Sequence, residues 1–97
     1  MATLVLTQNG ERVTVPANTS EHEIDFDALL QDSQGEALIE WVSGTAVQIN
    51  SNGVAITSAT ATLATGNNKF ILPVRKGVRM KYKGGAGSEV FQVYITE

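Results

Sequence analysis

Two short segments decide how this chain folds: EHEIDFD, residues 21–27, and VRMKYK, residues 78–83. Both alternate charged side chains with mostly apolar ones, and in a β-strand residues two apart point to the same face. The first segment therefore carries an acidic stripe, made of Glu21, Glu23, Asp25 and Asp27. The second carries a basic stripe, made of Arg79, Lys81 and Lys83. We predict two half-buried strands whose outer faces bear opposite charge.

The same period of two recurs along the whole chain. Eight or nine short runs rich in strand-forming residues are separated by turn residues about every 8–12 positions, the spacing of a sandwich or a barrel. The sequence contains no internal repeat of the length found in solenoid proteins. We therefore predict one all-β domain over residues 1–97: an antiparallel β-sandwich, jelly-roll-like, with eight or nine short strands. A barrel is the alternative.

Turn residues give the local predictions. Asn9-Gly10 lies between two β-rich runs and predicts a hairpin over Thr3–Val15 with a type I′ turn. Asn52-Gly53 predicts a second hairpin over residues 46–57 in the same way. Pro73 cannot donate to a ladder, so it marks a strand end or an edge strand.

Three other segments are less regular. Residues 27–34 fit either one short helical turn, with Asp27 as N-cap and Gly35 as the stop, or a loop. Residues 59–63 alternate small side chains and predict a flat strand. Gly84–Ser88 predicts a flexible connection. A phosphate-binding loop is disfavoured there, because neither a Lys-Ser/Thr pair nor a helix follows.

The inward positions of the predicted strands define the expected core. Its members are Leu4, Leu6, Val13, Val15, Ile24, Phe26, Ile39, Trp41, Val47, Ile49, Ile56, Leu63, Phe70, Leu72, Val78, Met80, Tyr82, Phe91, Val93 and Ile95. One core of this kind is what a chain of 97 residues can bury.

Charge is distributed unevenly along the chain. The net charge is only −3, and 42% apolar residues argue against a disordered chain. Residues 1–40 hold eight acids and one base, a charge of −7, whereas residues 41–97 hold six bases and two acids, a charge of +4. Such asymmetry either marks interaction surfaces or is neutralised when the two halves pair inside one sandwich. The sequence leaves both interpretations open.

Few residues carry chemistry. His22 is the only histidine, and it alternates onto the face of Ile24 and Phe26, which indicates a structural role. The absence of cysteine argues against zinc sites and excludes disulfides. A calcium site is disfavoured because the acids between residues 25 and 36 do not follow the spacing of an EF-hand loop. We expect no enzyme activity, no cofactor and no metal.

Nucleic acid and membranes are also disfavoured as partners. Lys69, Arg75 and Lys76 extend the basic stripe into a basic cluster. Single-strand binders add outward aromatic side chains, whereas Phe70 and Tyr82 alternate inward. The chain shows neither a signal peptide nor an apolar stretch of the roughly 18 residues that a membrane span needs.

From residue 36 onward the chain resembles a known family. The residues that carry the resemblance are EALIEWVSG (36–44), VQIN (47–50), LATG (63–66), KFILPV (69–74), VRMKYKGG (78–85) and VFQVYI (90–95). Their order is similar to that of small β-sandwich virion accessory proteins of tailed bacteriophages, of the capsid decoration (cement) and head-fibre type. The resemblance implies attachment to the outside of a capsid, often as a symmetric oligomer, with no catalysis. Residues 1–35 have no counterpart in it.

These observations predict a non-enzymatic structural protein, an accessory subunit of a virion assembled in the host cytoplasm. The expected partners are the major capsid protein or another virion protein, and further copies of the chain in a homo-oligomer. The expected partner-binding residues are Glu21, Glu23, Asp25, Asp27, Arg75, Lys76, Arg79, Lys81 and Lys83. The alternative is a carbohydrate- or receptor-binding module that uses Trp41 or Tyr94 as a stacking platform.

Overall fold

In the part of the chain that the structure describes, nine strands form two sheets that face each other. The computed structural model describes residues 3–16, 20–44, 46–51, 53, 56, 62–63, 68–84 and 89–96. Within these ranges the strands are Thr3–Val5 (β1), Glu11–Thr14 (β2), His22–Asp25 (β3), Gln34–Ser43 (β4), Val47–Asn50 (β5), Thr62–Leu63 (β6), Lys69–Arg75 (β7), Met80–Gly84 (β8) and Val90–Thr96 (β9). A short 3-10 helix, Asp27–Leu29, connects β3 to β4.

The strand order is that of a jelly roll. One sheet, sheet A, has the order β1-β3-β8-β5-β6, and the other, sheet B, has the order β2-β9-β4-β7. The antiparallel pairs β2·β9, β3·β8, β4·β7 and β5·β6 are nested inside one another. Nested pairs of this kind describe one long antiparallel hairpin rolled into two sheets, which is the jelly-roll arrangement. The predicted β-sandwich is therefore confirmed.

The residue pairs of the two sheets follow one common register along the rolled hairpin. Glu11 lies opposite Val93 in sheet B, and Glu23 lies opposite Lys81 in sheet A. From the first pair to the second, one arm of the rolled hairpin advances twelve residues, from Glu11 to Glu23. The other arm goes back twelve residues, from Val93 to Lys81. As a result, the two segments with opposite charge stripes lie side by side in sheet A.

The predicted hairpin over Thr3–Val15 is wrong. β1 pairs in parallel with β3 in sheet A, whereas β2 pairs with β9 in sheet B. A type I′ turn needs a positive φ at both of its central residues. Of Asn9 and Gly10, only Gly10 has a positive φ, at 78°. The Asn9 side chain instead donates to the carbonyl of Ile95 and accepts from its N–H. It replaces a backbone partner of β9, so the main chain can leave sheet B and cross to sheet A.

Leu4 is the clearest error in the predicted core. β1 lies at the edge of sheet A, where all three of its residues are exposed. Leu4 is 38% exposed and Val5 is 55% exposed. Leu4 takes the position in the alternation that the sequence predicts, since it lies beside buried Ile24. An edge strand, however, has neighbours on one side only.

The two sheets enclose one core. Its buried apolar members are Leu6, Val13, Val15, Ile24, Phe26, Leu30, Ala37, Ile39, Val47, Ile49, Val74, Met80, Tyr82, Phe91, Val93 and Ile95. Trp41, Phe70 and Leu72 pack against this core and are partly buried. Two further predicted members, Ile56 and Val78, are half-buried.

His22 belongs to the core, as its alternation predicts. Its ring centroid lies 5.5 Å from that of Tyr82, and the Tyr82 centroid lies 5.5 Å from that of Phe91 in an edge-on arrangement. Aromatic pairs at such distances add to the stability that burial supplies. Burial also raises the pKa of the Tyr82 hydroxyl.

Several local predictions need correction. The helical turn is confirmed as a 3-10 helix, but its N-cap is Phe26 rather than Asp27, and the Phe26 side chain makes no capping hydrogen bond. Gly35 is not a helix stop, because it lies within β4. β8 begins at Met80 rather than Val78, and Gly84 ends that strand as a buried residue instead of opening a loop.

Other local predictions fall mainly outside the described residues. These are the second arm of the hairpin over 46–57, most of the strand over 59–63, and the rest of the Gly84–Ser88 connection. Leu63, a predicted core residue, is described only in its backbone. The first arm of that hairpin is β5, which pairs with β8 and with β6.

Candidate protein-binding surface

The acidic and basic stripes meet within one chain, on the outer face of sheet A. β3 and β8 are antiparallel neighbours, and Glu23 lies opposite Lys81. Arg79 forms an ion pair with Asp25, and Lys81 forms one with Glu21, with 3.5 Å between Nζ and Oε1. The structure thus shows internal pairing of the opposite charges, one of the two interpretations that the sequence left open.

Glu21 also connects the acidic stripe to the backbone of Ile56. Its Oε2 accepts a hydrogen bond of 2.7 Å from the backbone N–H of Ile56. This bond is the largest influence on the Glu21 carboxyl; burial opposes it, and the charges of Lys81 and Lys83 add to it, so the pKa of Glu21 lies below its usual value. Glu21 therefore ties the start of β3 to Ile56.

The other three acids of the stripe are hydrogen-bonded too. Asp25 Oδ1 accepts the N–H of Asp27 at 3.0 Å, at the start of the 3-10 helix. Asp27 accepts the N–H of Gly77 at 3.2 Å and so holds the turn between β7 and β8. Glu23 accepts the hydroxyl of Thr3 at 3.3 Å and so ties β3 to β1. Each acid thus has a partner in its own chain.

The cations of the basic cluster divide into two groups. Arg79 and Lys81 are paired as above, Lys69 forms an ion pair with Glu40, and the charge of Lys83 contributes to the lowered pKa of Glu21. Arg75 and Lys76 are exposed at the end of β7 and form no ion pair with any residue that the structure describes. Among the nine predicted partner-binding residues, Arg75 and Lys76 therefore have the smallest structural role in the described part of the chain.

Arg75 and Lys76 belong to an exposed strip along β7, which we call the β7 surface. Its members are Lys69, Ile71, Pro73, Arg75 and Lys76. β7 is the last strand of sheet B and pairs only with β4 among the described strands. Its outward side chains alternate with Phe70, Leu72 and Val74, which face the core. Pro73 therefore marks an edge strand, as the sequence predicts.

Ile71 is the most exposed large apolar side chain among the described residues, at 65%. Across the outer face of sheet B it lies opposite Leu38, which in turn lies opposite Tyr94. Leu38 and Tyr94 are half-buried, and the Tyr94 ring covers Gly10. This apolar row ends at β7, the last of the described strands in sheet B, beside the ion pair of Lys69 and Glu40 at 3.6 Å.

Two adjoining clefts lie at the far end of the β7 surface. The larger, of about 610 Å³, is lined by residues 32–36 together with Pro73 and Val74. The smaller, of about 280 Å³, is lined by Gln34, Ser51, Pro73, Val74 and Arg75. Both share Gln34 and the Pro73–Val74 segment, so they flank the point where β7 ends.

Sequence reasoning identified Arg75 and Lys76 but missed Ile71 as a surface feature. The signal was present, because Ile71 is an apolar residue in the outward phase of an alternating run. Trp41 is not an open platform: it packs against the core, and its buried Nε1 has no hydrogen-bond partner in the described part of the chain. Of the two proposed platforms, only Tyr94 lies on an outer face.

Within the described ranges, no three or more metal-ligating side chains come together. None of the helices described there is long and apolar enough to cross a membrane. Comparisons of the chain with protein-family models, with curated proteins and with solved structures found no match.

Proposed function

We propose that this protein is a non-enzymatic structural subunit that attaches to another protein through the β7 surface. In its specific form, the proposal is an accessory subunit on the outside of a bacteriophage virion, with the major capsid protein or another virion protein as its partner. The observation that carries the proposal is Ile71, a branched apolar side chain 65% exposed on an edge strand and followed by two cations that form no ion pair with any described residue.

The β7 surface has the composition of a small protein interface. Interface centres are apolar and lose their charges to the rim, where polar and charged groups stay in contact with water. Here Ile71 occupies the centre, Lys69 lies on one side, and Arg75 and Lys76 lie on the other. Electrostatic complementarity at such a rim fixes partner choice and register more than affinity.

An open edge strand supports the same proposal. Soluble proteins protect edge strands with charge, proline or a covering element, since an exposed edge recruits other strands. β7 carries a lysine, an arginine and a proline, yet it leaves an isoleucine exposed between them. That combination limits indiscriminate pairing while it keeps an apolar contact for one partner.

The virion assignment rests on the resemblance over residues 36–95, which includes β4, β7, β8 and β9. Jelly rolls serve in viral capsid proteins, lectins and cupins, so the fold is compatible with the proposal and does not decide it. The expected homo-oligomer stays a prediction, and its test is the mass in solution.

Particle attachment tests the proposal. We expect an antibody against the protein to label purified virions, and we expect an Ile71→Lys variant to be lost from them. The matched control is Val5→Lys, which changes an equally apolar exposed residue on the edge of the other sheet. Detection of the protein in the host cytoplasm and never in purified particles would contradict the proposal, as would equal attachment of the two variants.

A further inference from the structure

We infer that β7 binds its partner by strand addition: an extended partner segment pairs with Lys69 and Ile71, its ladder stops at Pro73, and acidic residues beyond that point meet Arg75 and Lys76. This inference rests on the proposed function, because it names the mode of contact at the same surface. The backbone geometry of β7, the position of its proline and the charge at its end carry it in turn.

The pairing of β7 with β4 shows which backbone groups are open. Trp41 donates its N–H to the carbonyl of Asn68 at 2.9 Å, in register with the strand pair. Hydrogen-bonded and non-bonded pairs alternate along an antiparallel ladder. Residues 70, 72 and 74 therefore direct their backbone groups towards β4, and Lys69 and Ile71 direct theirs outward. In the described part of the chain no strand accepts them.

Pro73 falls in the same outward phase as Lys69 and Ile71. It has no N–H, so a partner strand gains no donor from it and the added ladder ends there.

Charge selects an acidic segment over a second copy of this chain. Arg75 and Lys76 extend beyond the proline without ion pairs among the described residues. A symmetric β7–β7 contact would bring the cations of one edge alongside those of the other, and like charges across strands are destabilising. Carboxylates in the added segment neutralise them instead.

Two synthetic peptides test the inference on the intact protein. Both alternate threonine and valine. One ends in two aspartates, and its control ends in two lysines. We expect the aspartate peptide to shift the NMR amide signals of Lys69 and Ile71 and to slow hydrogen exchange of the Ile71 amide. We expect the lysine peptide to bind on the order of tenfold more weakly, equivalent to about 1.4 kcal/mol.

A charge-reversed double variant, Arg75→Glu with Lys76→Glu, makes the test symmetric. Both positions are exposed, so the fold should tolerate the change, and the peptide preference should invert. Equal response to both peptides, shifts confined to β1, or no binding would overturn strand addition. So would a dimer seen by light scattering and abolished by Ile71→Lys, because a second copy would then occupy the edge.

The outcomes separate this inference from the proposed function. Loss of Ile71→Lys from virions together with no peptide response would retain the attachment surface and reject strand addition. Absence from virions together with a selective peptide response would reject the virion role and retain strand addition.

Discussion

Asn9 serves as the partner of Ile95 through its side chain rather than its backbone. Its Nδ2 donates to the Ile95 carbonyl at 3.1 Å, and its Oδ1 accepts the Ile95 N–H at 2.7 Å. Gly10, with φ at 78°, then donates its own N–H to Val93 at 2.9 Å. One amide side chain thus extends the β2–β9 ladder while the main chain crosses between sheets.

Asn9→Ala should lower the free energy of unfolding by about 1–3 kcal/mol, because it leaves two partly buried backbone groups of β9 without partners. Asn9→Asp keeps the acceptor for the Ile95 N–H but sets a carboxylate oxygen against the Ile95 carbonyl oxygen, so it should also destabilise the fold. Urea denaturation measures both, with exposed Gln8→Ala as the neighbouring control. An unchanged midpoint for Asn9→Ala would show that the two bonds are dispensable.

Glu21 should make stability depend on pH. The N–H of Ile56, and then Lys81, lowers the pKa of this carboxyl in the folded chain. The stability it adds is therefore complete above its ordinary pKa of 4.5 and is lost as the pH falls through the lower folded-state pKa. The stability difference between wild type and Glu21→Gln should be constant at neutral pH and shrink below pH 4.5.

Thermal denaturation as a function of pH measures that difference. Exposed Glu36→Gln is the control, since no hydrogen bond or ion pair involves the Glu36 side chain in the described residues. A difference between wild type and Glu21→Gln that grows as the pH falls would have the wrong sign and would reject this account of Glu21.

The ion pair of Arg79 with Asp25 should contribute little to stability. Both side chains are partly exposed, and such surface pairs stabilise proteins by about 0–1 kcal/mol. A double-mutant cycle with Arg79→Gln and Asp25→Asn should give a coupling energy in that range, and the coupling should decrease as salt is added. A coupling energy above about 2 kcal/mol would assign the pair a larger role than its exposure allows.

Gly84→Ala should destabilise the fold through overpacking. A Cβ at residue 84 would overlap the carboxylate of buried Glu89 and lie 2.7 Å from Cγ1 of Val15. Relief of such crowding in a packed core costs about 1–3 kcal/mol. Gly77→Asn is the control, because open space surrounds residue 77 and asparagine tolerates its φ of 84°. Calorimetry should show a clear loss only for Gly84→Ala.

The alternating pattern predicted most of the fold and mispredicted a connection. Ile24, Met80, Ile39 and Phe91 occupy inward positions because strand period depends on local sequence alone. Asn9-Gly10 gave a wrong prediction of a hairpin because a type I′ turn and a crossing between sheets can begin with the same two residues. Which of them forms depends on Ile95, 86 residues away along the chain, whose backbone the Asn9 side chain engages.

The candidate surface was predictable only in part. Arg75 and Lys76 are visible in the sequence as cations, but only the structure shows that Arg79 and Lys81 pair with acids while these two form no ion pair with any described residue. Ile71 is exposed because β7 falls at the end of the strand order in sheet B. Strand order is a property of the whole chain, so no local pattern contains it.

The nested pairing of the strands sets the order in which the chain can fold. β9 lies between β2 and β4 in sheet B, so neither strand can complete its hydrogen bonds until residues 90–96 have been synthesised. A nascent chain that ends before them exposes two open edges and much of its inner face, and such species aggregate readily. We expect folding to be slow, as it is for proteins dominated by non-local pairs, and the ribosome-bound chain to depend on chaperones until β9 joins the sheet.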